Sequence, residues 1–279
     1  MKLACNYCLE LEMLLDEKTI DFDYIKYPAQ GFDMKRMENL EIFEEFCNKL
    51  TQKRPILLHG FYPSPHDLSS PTLQTNFNDE IANRLIKATK TPGVSVHPTL
   101  SKIPANVPFE SIFSTIISNA KFLKEKFSHM EFVSLETLDH IDRWGNLLKP
   151  EITKRLLDET DCDYLLDISH AYYASRGLKI NFFDYLRMLP LEKTVEIHIN
   201  GWVETEKGLM SHTKINDEAY EALREVLQYC KPQIITLEYG RPDDRVGAGC
   251  PIVSPDKINN DVKNEIIEQV TKIREIIRM

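Results

Sequence analysis

The chain has 279 residues, 42% hydrophobic and 28% charged, the mix of an ordinary globular protein rather than a disordered or collagen-like one, and no apolar run approaches the roughly eighteen residues of a membrane span. The net charge of -9, from 34 basic and 43 acidic residues, argues against a broad nucleic-acid footprint, which needs a basic face. Six cysteines, with Glu10 and Glu12 interrupting any N-terminal apolar leader, read as reduced thiols of a cytoplasmic protein.

In chain order, short apolar runs alternate with helical periodicity. Strands are predicted at Lys2–Asn6 and Phe22–Tyr27, then a helix over Met37–Leu50. A strand at Ile56–His59 precedes a helix at Asn78–Thr89, and a strand at Val94–His97 precedes a helix at Phe109–Phe127. Strands at Glu131–Glu136, Tyr164–Asp167 and Val195–Ile199 follow. A helix at Asp217–Tyr229, a strand at Ile234–Glu238 and a helix at Asn260–Ile277 close the series. The helical segments carry apolar residues three and four apart, while the strands are continuously apolar, as parallel strands covered on both faces should be. Tyr62–Pro71 and Arg241–Pro255 read as long loops.

Eight strands with crossover helices predict an α/β fold, a (β/α)8 TIM barrel of one domain over residues 1–279. An open doubly wound sheet usually carries a glycine-rich first turn, and here that turn is Cys5-Asn6-Tyr7-Cys8. Cys5 and Cys8 form a lone C-x-x-C. Without a second pair to complete a thiolate zinc site, they are expected to be small buried side chains.

The strand ends carry the chemistry. His59, His97, Glu136, Asp167, His198 and Glu238 each close or nearly close a different strand, roughly 30–40 residues apart, which is the barrel repeat. His170 lies three residues past Asp167, and His212 lies in the loop after the seventh strand. In this fold the C-terminal strand ends form the catalytic face. Several carboxylates buried together need cations, and imidazole with carboxylate suits Zn, Mn or Fe. Two or three divalent transition metal ions are expected, held by His59, His97, Glu136, Asp167, His170, His198, His212 and Glu238. Glu136, Asp167, His198 and Glu238 are also expected to serve catalysis. Glu196, two residues before His198, is expected to point away from the site. His129 is expected at the opposite end of the barrel, with His66 and His140 in catalytic-face loops.

Leu165-Leu166-Asp167-Ile168-Ser169-His170-Ala171-Tyr172 resembles the D-x-x-H-A segment of the endonuclease IV family, one of the xylose-isomerase-like barrels. His59, His97, Glu136, His198, His212 and Glu238 also fall where that family places ligands, although its D-x-H after strand seven is Met210-Ser211-His212 here. A closer resemblance is to the multinuclear non-heme iron-dependent oxidative enzymes. It rests on Leu58-His59-Gly60, Tyr185-Leu186-Arg187-Met188-Leu189-Pro190 and Val195-Glu196-Ile197-His198-Ile199-Asn200-Gly201. Trp202 stands where that family has a second histidine, and Asp167-Ile168-Ser169-His170 replaces its D-x-N-N.

That resemblance implies an iron centre that uses dioxygen to oxidise a cysteine-bearing peptide or small thiol, with a partner protein presenting the peptide. Tyr172, Lys214, Tyr239 and Arg241 are the candidate substrate-binding residues. The rival enzyme reading is a Zn- or Mn-dependent sugar isomerase or endonuclease IV-like phosphodiesterase. The loops Phe61–Pro71 and Gly240–Gly249 are too poor in basic side chains for DNA, and nucleic acid and membrane are not expected as partners. A third reading is a metal-dependent binding or regulatory protein.

Overall fold

The computed structural model describes residues 1–29, 31–98, 106–138, 145–206, 208–240 and 258–278. It opens with β1 (Lys2–Asn6), α1 (Leu9–Asp16), β2 (Tyr24–Tyr27), α2 (Gly31–Met37), α3 (Leu40–Leu50) and β3 (Ile56–His59). Next come α4 (Leu73–Asn76), α5 (Asp79–Thr89), β4 (Gly93–Val96), α6 (Phe109–Lys126), β5 (Phe132–Glu136), α7 (Pro150–Thr160) and β6 (Asp163–Asp167). Then α8 (Ile168–Leu178), α9 (Phe182–Met188), β7 (Thr194–Ile199), β8 (Gly201–Thr205), β9 (Gly208–Thr213), α10 (Asp217–Val226), β10 (Ile234–Leu237) and α11 (Asn260–Arg278) complete it.

Eight parallel strands close in the order β1-β10-β7-β6-β5-β4-β3-β2. This is the predicted TIM barrel, and the observed strand bounds differ from the predicted ones by at most two residues at either end. The core has two layers. Ala4, Tyr24, Leu57, Phe132, Val195 and Ile234 fill the lower lumen. A larger cluster, including Leu3, Cys5, Ile25, Leu58, Leu135 and Leu166, packs between the strands and helices. Side chains alternate along a strand. Two residues beyond the lumen file, therefore, polar side chains enter the barrel mouth.

Two local features set the upper rim. Cys8 is the N-cap of α1, its Sγ accepting from Leu11 N at 3.4 Å, and Cys5 is buried in the outer layer. Cys5 and Cys8 are thus small buried side chains, as expected, and the capping of α1 by Cys8 was not foreseen. The hairpin β8–β9, absent from the sequence expectation, carries His212. Its base needs Gly201, because a Cβ there would lie 1.8 Å from the Lys214 carbonyl oxygen. No helix among the described residues is long and apolar enough to cross a membrane.

Candidate metal centre

Six strands deliver imidazole or carboxylate to the mouth. His59 ends β3, Glu136 ends β5 and Asp167 ends β6, while His198 lies next to the end of β7. His97 and Glu238 sit one residue beyond β4 and β10. The ladder sets Asp167 and Thr236 opposite His198.

Glu136 lies at the centre. Its Oε2 is 2.7 Å from His59 Nε2 and 3.0 Å from His97 Nε2, and its Oε1 is 3.1 Å from His198 Nδ1. Two sets of ligand atoms therefore share this carboxylate. One set is His59, His97 and Glu136, and the other is Glu136, Asp167, His198 and Glu238, the atoms of each lying within 4.8 Å of one another. Glu238 Oε2 is 3.4 Å from His198 Nδ1 and 3.3 Å from His212 Nε2. His170 stands at the edge, its Nδ1 2.7 Å from the Thr137 carbonyl and 3.8 Å from Glu136 Oε1. The structure thus brings together all eight residues expected to bind metal.

Neighbouring groups aim these side chains. Asp167 is the N-cap of α8: its Oδ1 accepts from His170 N and Ser169 Oγ, both at 2.8 Å. Its Oδ2 accepts from Asn200 Nδ2 at 3.2 Å, so a single carboxylate starts the helix and faces the mouth. Asn200 Oδ1 accepts from His212 N at 3.0 Å. That bond helps hold His212 at φ +58, a backbone region that is strained for a residue with a Cβ.

Glu196 corrects the expectation that it points away. Residues two apart on a strand share a face, and His198 Nε2 donates to Glu196 Oε1 at 3.1 Å. Thr236 Oγ1 also donates to Oε1, and Ser95 Oγ donates to Oε2. Glu196 thereby anchors Nε2 of His198 and turns Nδ1 toward Glu136, Asp167 and Glu238.

The sequence reading also missed Lys26. This lysine of β2 is buried and ion-paired to Glu238 Oε1. Its signal was a charged residue inside an otherwise apolar strand, two positions beyond Tyr24 of the lumen file.

The electrostatics follow from this crowding. Burial opposes ionisation of Glu136, yet His97, His59 and His198 outweigh it and hold its carboxyl well below the usual range. For Glu238, burial is outweighed by Lys26, His198 and His212, again well below the usual range. Asp167 goes the other way, pushed up by burial and by Glu238 and Glu136 against the pull of His170 and His198. Burial would lower His198, but Glu238, Glu136 and Glu196 raise it well above ordinary imidazole despite Lys26. Glu136, Asp167, Glu196 and Glu238 are thus four buried carboxylates facing one buried lysine. Oxygen and imidazole donors in this surplus of negative charge fit divalent transition ions.

The proposed substrate-binding residues do not join the cluster. Tyr172 Oη donates to Glu204 at 3.2 Å, and its ring stacks on Trp202 with centroids 4.5 Å apart. Lys214 Nζ donates to Glu268 at 2.7 Å, and Tyr239 Oη donates to Glu265, both acceptors lying on α11. Arg241 and His140 lie outside the described residues. His129 sits just before β5, at the opposite end of the barrel as expected, and His66 lies in the loop after β3 with Nδ1 3.0 Å from the Ser64 carbonyl.

A closed parallel barrel with this mouth is a (β/α)8 TIM barrel, and solved xylose-isomerase-type proteins share that fold. The D-psicose 3-epimerase of Clostridium cellulolyticum H10 superposes with a TM-score of 0.61 at 11% identity, covering 99% of both chains. A xylose isomerase domain protein from Alicyclobacillus acidocaldarius gives 0.62 at 15% identity over 100% of both. At such identities the likeness is one of fold.

The sequence comparison narrows the class: residues 118–244 match the family model described as RiPP precursor modification enzyme MbnB/TglH/ChrH. Six of the eight clustered residues, from Glu136 to Glu238, lie in that stretch, while His59 and His97 precede it. A UPF0276 protein of Acinetobacter baylyi is 25% identical over 97 residues, 33% of this chain and 34% of that protein. Another, from Acaryochloris marina, is 34% identical over 67 residues, 24% of each chain. The matches thus span about a third and a quarter of those relatives' own lengths. The family match begins within α6 and takes in β5, β6, β7 and β10.

Proposed function

We propose that this protein modifies a precursor peptide, oxidising a cysteine-bearing segment at a centre of two or three iron ions. One observation carries the reading: the Glu136 carboxylate stands between two complete donor sets at a barrel mouth whose sequence matches the peptide-modifying family. His59, His97 and Glu136 would hold one ion, and Glu136, Asp167, His198 and Glu238 a second. His170 and His212 are the further donors at the rim. Bound iron would supply thiolate coordination and dioxygen activation.

The remaining work belongs to the chain. Glu196 anchors Nε2 of His198, the Thr137 carbonyl holds His170 through Nδ1, and Lys26 clamps one oxygen of Glu238. The apolar lumen below keeps water out of the floor. Tyr172, stacked on Trp202 of the hairpin that carries His212, marks the rim we assign to the peptide. A partner protein presenting the peptide would dock at this rim.

Elemental analysis of anaerobically purified protein is expected to find about two or more equivalents of iron per chain, the stoichiometry of a multi-metal site. Less than about one equivalent of any transition metal in folded protein would overturn the reading, and zinc or manganese in place of iron would favour the isomerase or phosphodiesterase alternative.

Replacing Glu196 with Gln preserves its shape but removes the charge that orients His198. Competition against a chelator is expected to show metal affinity about 10–100-fold weaker, the usual loss for an outer partner of a ligand. An unchanged affinity would mean that Glu196 is only packing.

A further inference from the structure

Two of the eight barrel strands, β1 and β2, bring no member of the metal cluster to the mouth. In place of a ligand they bring Asn6 and Lys26, which are paired across the β1–β2 ladder. On the other side of β1, Cys5 pairs with Leu237, which puts Asn6 level with Glu238. Leu3 and Cys5 face the helices while Ala4 faces the lumen, so by alternation Asn6 faces inward.

Asn6 is 2% exposed, and neither Oδ1 nor Nδ2 has a hydrogen-bond partner among the described residues. A buried carboxamide left unpaired is costly and rare in native proteins. Beside it, Lys26 has three N–H donors. Among the described residues, its one hydrogen bond goes to Glu238.

We propose that Asn6 and Lys26 form a substrate subsite that grips the carbonyl-bearing group next to the reacting cysteine. This rests on the peptide-thiol reading above. The subsite is rich in donors: Asn6 Nδ2 and the Lys26 ammonium donate to a carbonyl oxygen, and Asn6 Oδ1 accepts a backbone N–H. One peptide unit satisfies both faces of the carboxamide, whereas a terminal carboxylate uses only the donors. The ammonium is doubly employed, fixing Glu238 through one hydrogen and presenting the others to substrate. A mouth ligated on six strands and donor-lined on two orients the substrate, its sulfur toward the carboxylate side and its backbone toward β1 and β2.

The test titrates anaerobic, metal-loaded wild-type protein with N-acetylcysteine N-methylamide, N-acetylcysteine, ethanethiol and thiol-free N-acetylglycine N-methylamide, read by calorimetry. Wild type is expected to bind a carbonyl-bearing thiol roughly tenfold more tightly than ethanethiol, the worth of about one charge-assisted hydrogen bond. Preference for the methylamide assigns an internal peptide unit, and preference for the acid assigns a chain-terminal carboxylate. Asn6→Leu is expected to lose that advantage while keeping ethanethiol binding and full metal content. It should melt no lower than wild type, because an apolar side chain of similar volume replaces an unpaired amide.

Asn6→Ala provides the same comparison if the leucine is not accommodated. If no thiol binds wild type but the glycine probe binds in an Asn6-dependent way, the thiol reading fails and the subsite stands. If no probe shows Asn6-dependent binding, the subsite is overturned.

Discussion

Glu136→Ala is expected to empty both halves of the metal centre at once. Its two oxygens face different donor sets, Oε2 toward His59 and His97 and Oε1 toward His198. Removing it leaves the first set with two imidazoles and strips the second of a carboxylate. Metal analysis is expected to fall below about one equivalent, and turnover by more than about 100-fold, beyond what loss of an outer partner of a ligand costs. His59→Ala is the contrasting variant: it touches one donor set and is expected to spare the ion held by Glu136, Asp167, His198 and Glu238 together. Retention of the full complement by folded Glu136→Ala protein would sink the idea of a shared carboxylate.

The strand ends were legible because two patterns coincide. Buried parallel strands are apolar along their length, so a polar residue at the end of such a run stands out. The barrel then brings together what the sequence separates. His59, His97, Glu136, Asp167, His198 and Glu238 all follow this logic.

What was missed lacks one of the two patterns. Lys26 precedes Tyr27 within β2, and its charge sits inside the run. Asn6 looked like part of the first turn, although it is the last residue of β1. Glu196 was assigned to the wrong face, yet a strand repeats every two residues. The register also pairs Tyr164 with Thr194 and Leu165 with Glu196, so Val195 is an extra residue, which is how it joins the lumen cluster next to the inward-facing Glu196. The β8–β9 hairpin was invisible because no regular alternation runs along it: β8 buries Gly201 and Trp202 side by side, and β9 is exposed or half-buried until Thr213. Helix α7 is dominated by charged and polar residues, and α8 starts directly at its cap Asp167, so the strand end and the helix start fall on the same residue.

Lys26→Met tests the buried ion pair against the metal. The Lys26 and Glu238 side chains are 6% and 8% exposed. Methionine keeps the length of the stem but removes the fixed cation of Glu238, leaving only the His198 and His212 imidazoles against its charge beside Glu136, Asp167 and Glu196. Breaking a buried pair from one side costs about 3–5 kcal/mol. In a domain of this size each kcal/mol moves the midpoint by about 2–4 °C, so metal-free Lys26→Met protein is expected to melt about 6–20 °C below metal-free wild type. With metal the gap should narrow, because divalent ions on Glu238 and its neighbours supply the charge that the lysine supplied, and ligands that bind only the folded state add stability. Paired thermal melts with and without iron check this. An equal drop in both states would mean that Lys26 and the metal do not share Glu238. No drop in the metal-free protein would mean that the ion pair contributes nothing to the fold. The expected asymmetry would place Lys26 as the fixed cation of a centre whose other cations are metal ions.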